Sequence, residues 1–134
     1  MVMQKVERSS PIKGEIDEKT ILVVEDDTSI GALLVEALAQ ETPYSAMLVT
    51  DGIQALNVAR SIKPCLFITD YWLPNINGLE LYDLLQATKE LVDTPTIIMS
   101  AYLPEQEINK RNLVGLNKPF DLDEFLEAVE KLLA

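Results

Sequence analysis

The chain has 134 residues, 48% apolar and 25% charged, which is globular composition and enough length for one buried core. Its formal charge of −11 argues against gripping a phosphate backbone, and the absence of histidine removes most zinc-site and general-base schemes. No run approaches the roughly 20 apolar residues that cross a bilayer, no secretory signal pattern opens the chain, and Cys65 has no internal disulfide partner, so a cytoplasmic protein without membrane contact is expected.

Residues 1–18 mix charge and polarity without period, around Ser9-Ser10-Pro11 and Gly14, as a mobile leader would. Regular patterning begins at Lys19 and continues to Ala134. Thr20–Glu25 reads as a buried strand. Ser29–Gln40 follows as a helix with Ile30, Leu33, Leu34, Ala37 and Leu38 on one face. After Pro43, Tyr44–Thr50 is a second strand, and Asp51–Ile62 a second helix carrying Ile53, Leu56, Val58 and Ala59. Pro64 precedes a third strand, Leu66–Asp70, and Gly78–Leu91 reads as the third helix. Thr96–Ser100 is the fourth strand, Pro104–Arg111 a short polar helix, and Leu113–Leu116 a brief fifth strand. The last helix is the clearest, with Leu122, Phe125, Leu126, Val129, Leu132 and Leu133 at helical spacing. Asp121 can cap it, with Glu124 in the capping-box position.

Strand and helix thus alternate five times through short connections. That order predicts an α/β domain over 19–134, with a doubly wound parallel sheet and helices on both faces. The near-continuous apolar strands agree, because a sheet covered on both sides shows no alternation.

Chemistry concentrates where strands end. Asp70 closes the run Cys65-Leu66-Phe67-Ile68-Thr69 and precedes the turn-rich Tyr71–Gly78. Ile21-Leu22-Val23-Val24 runs likewise into Glu25-Asp26-Asp27. In a doubly wound sheet the first and third strands are neighbours, and ligands bind beyond their carboxyl ends. Like charges about 4 Å apart repel by roughly 4 kcal/mol at an effective dielectric near 20, so such a cluster must hold a proton or a cation. All-oxygen ligation suits Mg²⁺, or Mn²⁺, held by Glu25, Asp26 and Asp70. Acids at strand ends also cap helices, and for Asp27 capping is the reading. Ser100 and Lys118 end the fourth and fifth strands, adding a hydroxyl and a fixed cation to the same edge. An aspartyl phosphate calls for that set.

In these strings the sequence resembles a response-regulator receiver domain of two-component signalling. Val23-Val24-Glu25-Asp26-Asp27 is similar to the family's first-strand motif, and Asp70 with Leu73-Pro74 and Gly78 to its phosphoacceptor motif. Ser100-Ala101 and Lys118-Pro119-Phe120 complete the series. The resemblance implies a flavodoxin-like sheet of order 2-1-3-4-5. It implies Asp70 as phosphoacceptor, Mg²⁺ on Asp26 and Asp70 with Glu25 through water and the Trp72 backbone carbonyl, and Ser100 and Lys118 on the phosphoryl oxygens. It also implies a cis Lys118–Pro119 bond. The donor would be a sensor histidine kinase or a histidine phosphotransfer protein, and the output an unnamed downstream protein. Such a chain is a switch that catalyses only its own phosphorylation and dephosphorylation. Bulky Trp72 and Tyr102 beside the acceptor predict slow self-dephosphorylation.

The pattern departs from the family between Ser100 and Lys118, where the chain is several residues short. A shortened fourth helix with a frayed end at Asn109–Asn112 is expected. Gly115 stands where many receivers carry an aromatic switch, a role Tyr102 would partly fill. The competing function is a receiver-like interaction module that is never phosphorylated. A haloacid-dehalogenase-type hydrolase needs a second acid two residues after the first, where Trp72 stands. The helix ending at Ala134 fits a single-domain regulator or a receiver cut from a longer one.

Overall fold

In the computed structural model, which describes residues 19–134, the β-rich runs form five strands: β1 (Thr20–Val24), β2 (Ser45–Val49), β3 (Leu66–Asp70), β4 (Thr96–Ser100) and β5 (Val114–Asn117). The leader expected over 1–18 lies outside the described residues. All four pairings are parallel, and the order is β2-β1-β3-β4-β5. Five helices connect and follow them: α1 (Thr28–Glu41), α2 (Gly52–Ile62), α3 (Gly78–Gln86), α4 (Glu105–Lys110) and α5 (Leu122–Leu133). The doubly wound, flavodoxin-like reading holds, including the short α4. Among the described residues no helix is long and apolar enough to cross a membrane.

The period-two geometry of a strand divides the core into two layers. Ile21, Val23, Leu66, Ile68, Ile97 and Met99 face α1 and α5, where Leu34, Leu38, Phe125 and Val129 cover them. Leu22, Val24 and Phe67 face α2 and α3, packing with Ala55, Ala59, Leu81 and Leu85. Full burial of each such large side chain contributes about 1.5–3 kcal/mol. Every residue named in the two layers is at most 2% exposed, so the strand ends project from a fully covered core.

Capping follows the sequence closely. Asp27 accepts from the Ser29 and Ile30 amides at the start of α1. Full capping boxes, Asn77 with Glu80 and Asp121 with Glu124, open α3 and α5.

Three expectations are corrected. The third helix stops at Gln86 rather than Leu91; Thr88 is extended, and Lys89–Leu91 form a separate 3₁₀ turn. A continuous helix would put Leu91 about 240° around the axis from Leu85, whereas the break turns Leu91 into the core at 1% exposure. Second, the apolar faces of α1 and α2 are narrower than their sequences suggest. Gly31, Leu34, Ala37 and Leu38 are buried on α1 and Gly52, Ala55 and Ala59 on α2, while Ile30, Leu33 and Ile53 are exposed. Third, the end of α4, expected to be frayed over Asn109–Asn112, carries side-chain ties. Arg111 grips Asp83 of α3 with Nε and Nη2, both at 3.0 Å, and bonds Glu107 with Nη1.

Candidate functional site

Each strand end reaches the carboxyl edge one backbone hydrogen bond past its last paired residue. The Glu25 amide donates to the Val49 carbonyl, that of Tyr71 to Met99, and that of Lys118 to Ser100. Val24 is in register with Thr69, Asp70 with Met99, and Ser100 with Asn117. Register therefore brings the last residue of β3 and the residues just after β1 and β5 to one place.

The Lys118 ammonium lies 2.7 Å from Asp70 Oδ1 and 3.2 Å from Glu25 Oε1. Carboxylate oxygens of Glu25, Asp26 and Asp70 all lie within 4.8 Å of one another. Glu25 and Asp70 are buried, at 1% and 7% exposure, whereas Asp26 is open to solvent. The second Glu25 oxygen accepts from the Asp27 amide at 3.1 Å, which fixes the carboxylate between a cation and a helix entrance. Lys118–Pro119 is cis.

Burial pushes the Asp70 carboxyl above its ordinary range, and the Lys118 hydrogen bond and charge pull it back only in part. Burial raises Glu25 as well, against the Asp27 amide. For Lys118 burial acts downward, but hydrogen bonds and charge from Asp70 and Glu25 outweigh it and hold the ammonium on. One ammonium thus serves three clustered acids, leaving excess negative charge in a confined place. The donor set is all oxygen, with no imidazole or thiolate, and fits a hard divalent cation of the Mg²⁺ kind.

Ser100 is 2% exposed, and its Oγ accepts from the Tyr102 amide at 3.1 Å. Trp72 is 66% exposed and Tyr102 is 85% exposed. The Trp72 ring stands edge-on to Tyr71, with centroids 4.8 Å apart. Gly78 returns so close to the end of β3 that a Cβ there would sit 2.6 Å from the Asp70 carbonyl oxygen, so glycine is required. Its amide donates to the Tyr71 carbonyl, closing the acceptor loop on itself. The space over Gly115 is filled by Leu103, with Ile108 beside it, and not by Tyr102.

The sequence matches the response regulator receiver domain family over residues 21–130. The chain belongs to that family. Similar relatives include the sporulation initiation phosphotransferase F of Bacillus subtilis, 32% identical across 84% of this chain and 92% of that protein. The polar-differentiation response regulator DivK of Brucella anthropi is 27% identical, across 86% of this chain and 96% of its own. In fold, the chain is similar to the solved chemotaxis protein CheY4 of Vibrio cholerae, with a TM-score of 0.78 and 24% identity over 86% of this chain and 98% of that one. Receiver domains are the switch modules of two-component signalling rather than enzymes in the usual sense.

Of the residues singled out from sequence, Glu25, Asp26, Asp70 and Lys118 meet in this receiver. Ser100 lies on the next strand at the same edge. The residues missed were those that tie the loop after β3 to α2: Asp51 and Gly52 on the helix side, and Asn75 within the loop. Asn75 lies in the left-handed region at φ 71°, and its side-chain amide donates to Asp51 Oδ2 at 3.3 Å. The adjacent Asp51-Gly52 at a helix start was the available signal, and it pointed only to a cap.

Proposed function

We propose that this receiver is a phosphorylation-controlled switch whose acceptor is Asp70. The observation that carries the reading is the Lys118 ammonium 2.7 Å from Asp70 Oδ1, beside oxygens of Glu25 and Asp26. The donor is a phosphohistidine on a partner kinase or phosphotransfer protein. An Asp70 carboxylate oxygen attacks phosphorus, the P–N bond breaks, and its electron pair leaves on the imidazole nitrogen, which takes up a proton.

Asp26 and Asp70 would hold Mg²⁺, with Glu25 acting through water and Trp72 through its backbone carbonyl. When bound, that ion supplies positive charge against the phosphoryl oxygens. Lys118, already charged and partly desolvated, pairs with another of those oxygens and needs little reorganisation to do so. The Ser100 oxygen receives the Tyr102 amide, which leaves its O–H free to donate to the phosphoryl group. Burial of Asp70 limits water at the acceptor and gives the acyl phosphate a lifetime.

Incubation with acetyl phosphate and Mg²⁺, followed by intact-mass measurement, tests this. One added phosphoryl group is expected, lost on chelation and lost in Asp70→Ala. An unlabelled wild type that keeps its fold would instead favour the constitutive interaction module.

A further inference from the structure

We propose that the start of α2 is the seat of the acceptor loop, and that Gly52 and Asp51 are positioning residues for the cation site. The inference rests on the reading just given, in which the loop's Trp72 carbonyl is a ligand.

The loop 71–77 leaves β3 at Asp70 and returns at Gly78, where its ends are closed by the Gly78–Tyr71 backbone bond. Between these ends it leans outward on α2. A Cβ at Gly52 would lie 2.4 Å from Ile76 Cγ2 and 3.5 Å from Leu73 Cδ1. Leu73 and Ile76 are the loop's two aliphatic side chains, and both pack on the core layer formed with α2 and α3. Asp51 divides its carboxylate between two tasks. Oδ1 caps α2 through the Gln54 amide at 3.0 Å, and Oδ2 receives Asn75. Asn75 is also the loop residue with left-handed backbone, so the hydrogen bond sits where the chain reverses. The seat therefore sets how far the loop stands from β1, whose end carries Glu25 and Asp26. Supporting groups of this outer kind typically change metal affinity by about 10–100-fold when removed.

A second crowded helix glycine supplies a control within the chain. A Cβ at Gly31 of α1 would lie 2.5 Å and 2.8 Å from Leu48 Cδ1 and Cδ2, away from the acceptor loop. The measurement is Mg²⁺ affinity by calorimetry, together with fluorescence of Trp72, the single tryptophan. Gly52→Ala is expected to weaken Mg²⁺ binding about tenfold, and Gly31→Ala to leave it unchanged whatever thermal stability it loses. Relieving the clash in Gly52→Ala/Ile76→Ala should recover part of the affinity. Asp51→Ser retains a helix cap but leaves Asn75 without its acceptor, and should weaken binding less than Gly52→Ala. Equal Mg²⁺ affinity in wild type, Gly52→Ala and Asp51→Ser would overturn the inference while leaving the functional reading intact. A wild type that binds no Mg²⁺ would overturn both.

Discussion

The acid pocket and the α4–β5 face lie on the same sheet but are held in different ways. At the pocket, groups from three strands are each fixed by a backbone hydrogen bond to a neighbour, and two of its carboxylates are almost fully buried. On the other face, α4 has six residues and a single buried side chain, Ile108. Ile108 packs with Leu79 and Ile98, with Leu103 and Leu113 against them, and the Arg111 fork holds Asp83. The fork is bidentate, but Asp83 is 54% exposed, so solvent screens the pair. One region is over-determined and the other hangs on few contacts. A switch needs that contrast, since the chemistry requires fixed geometry and the readout requires something that can move.

The largest test of the contrast is Ile108→Ala, which removes α4's core anchor and should cost about 2–5 kcal/mol locally. Amide exchange across 105–113 is expected to rise at least tenfold, about 1.4 kcal/mol of easier opening, while β1 and β3 amides and Mg²⁺ affinity stay as in wild type. Loss of Mg²⁺ affinity in that variant would show that the two regions are one unit.

Tyr102→Asn probes the border between them, because Tyr102 lies two residues past Ser100 in the connection to α4. Replacing this exposed ring with a small polar group is expected to speed hydrolysis of phosphorylated protein severalfold, followed as decay of the labelled mass. An unchanged decay rate would assign the ring no part in shielding the acceptor.

The smallest effect is a slope. Glu25 and Asp70 have ordinary values of 4.5 and 3.8, and both are raised in the fold. The folded state then binds protons more tightly than the unfolded one, so stability falls as pH rises from those values through the raised ones. Lys118, raised above 10.5, keeps its contribution throughout that window and loses it only in strong alkali. Melting of metal-free protein between weakly acidic and neutral pH should show this fall. The slope should be shallower in Asp70→Asn and flattened by Mg²⁺.

The strand ends were legible because an apolar run stopped by an acid, a serine or a lysine is a one-dimensional signal. Register then converts it into a place. The caps Asp27 and Asp121 were legible for the same reason, since donor and acceptor lie within three residues. Illegible features depend on partners distant in sequence. Leu33 and Ile53 look like core on a helical wheel, yet packing buries only the narrower stripe that faces the sheet. Leu91 extends a leucine pattern but reaches the core only by leaving the helix. Asp51 and Asn75 are 24 residues apart, and nothing in either neighbourhood names the other.

The bond between Lys118 and Glu25 joins residues 93 apart. A chain leaving the ribosome exposes its first acids and its acceptor long before the lysine emerges to complete them. The pocket therefore stays incomplete until β5 is made, and a copy that stops short of residue 118 keeps its clustered acids without the ammonium that pairs with them.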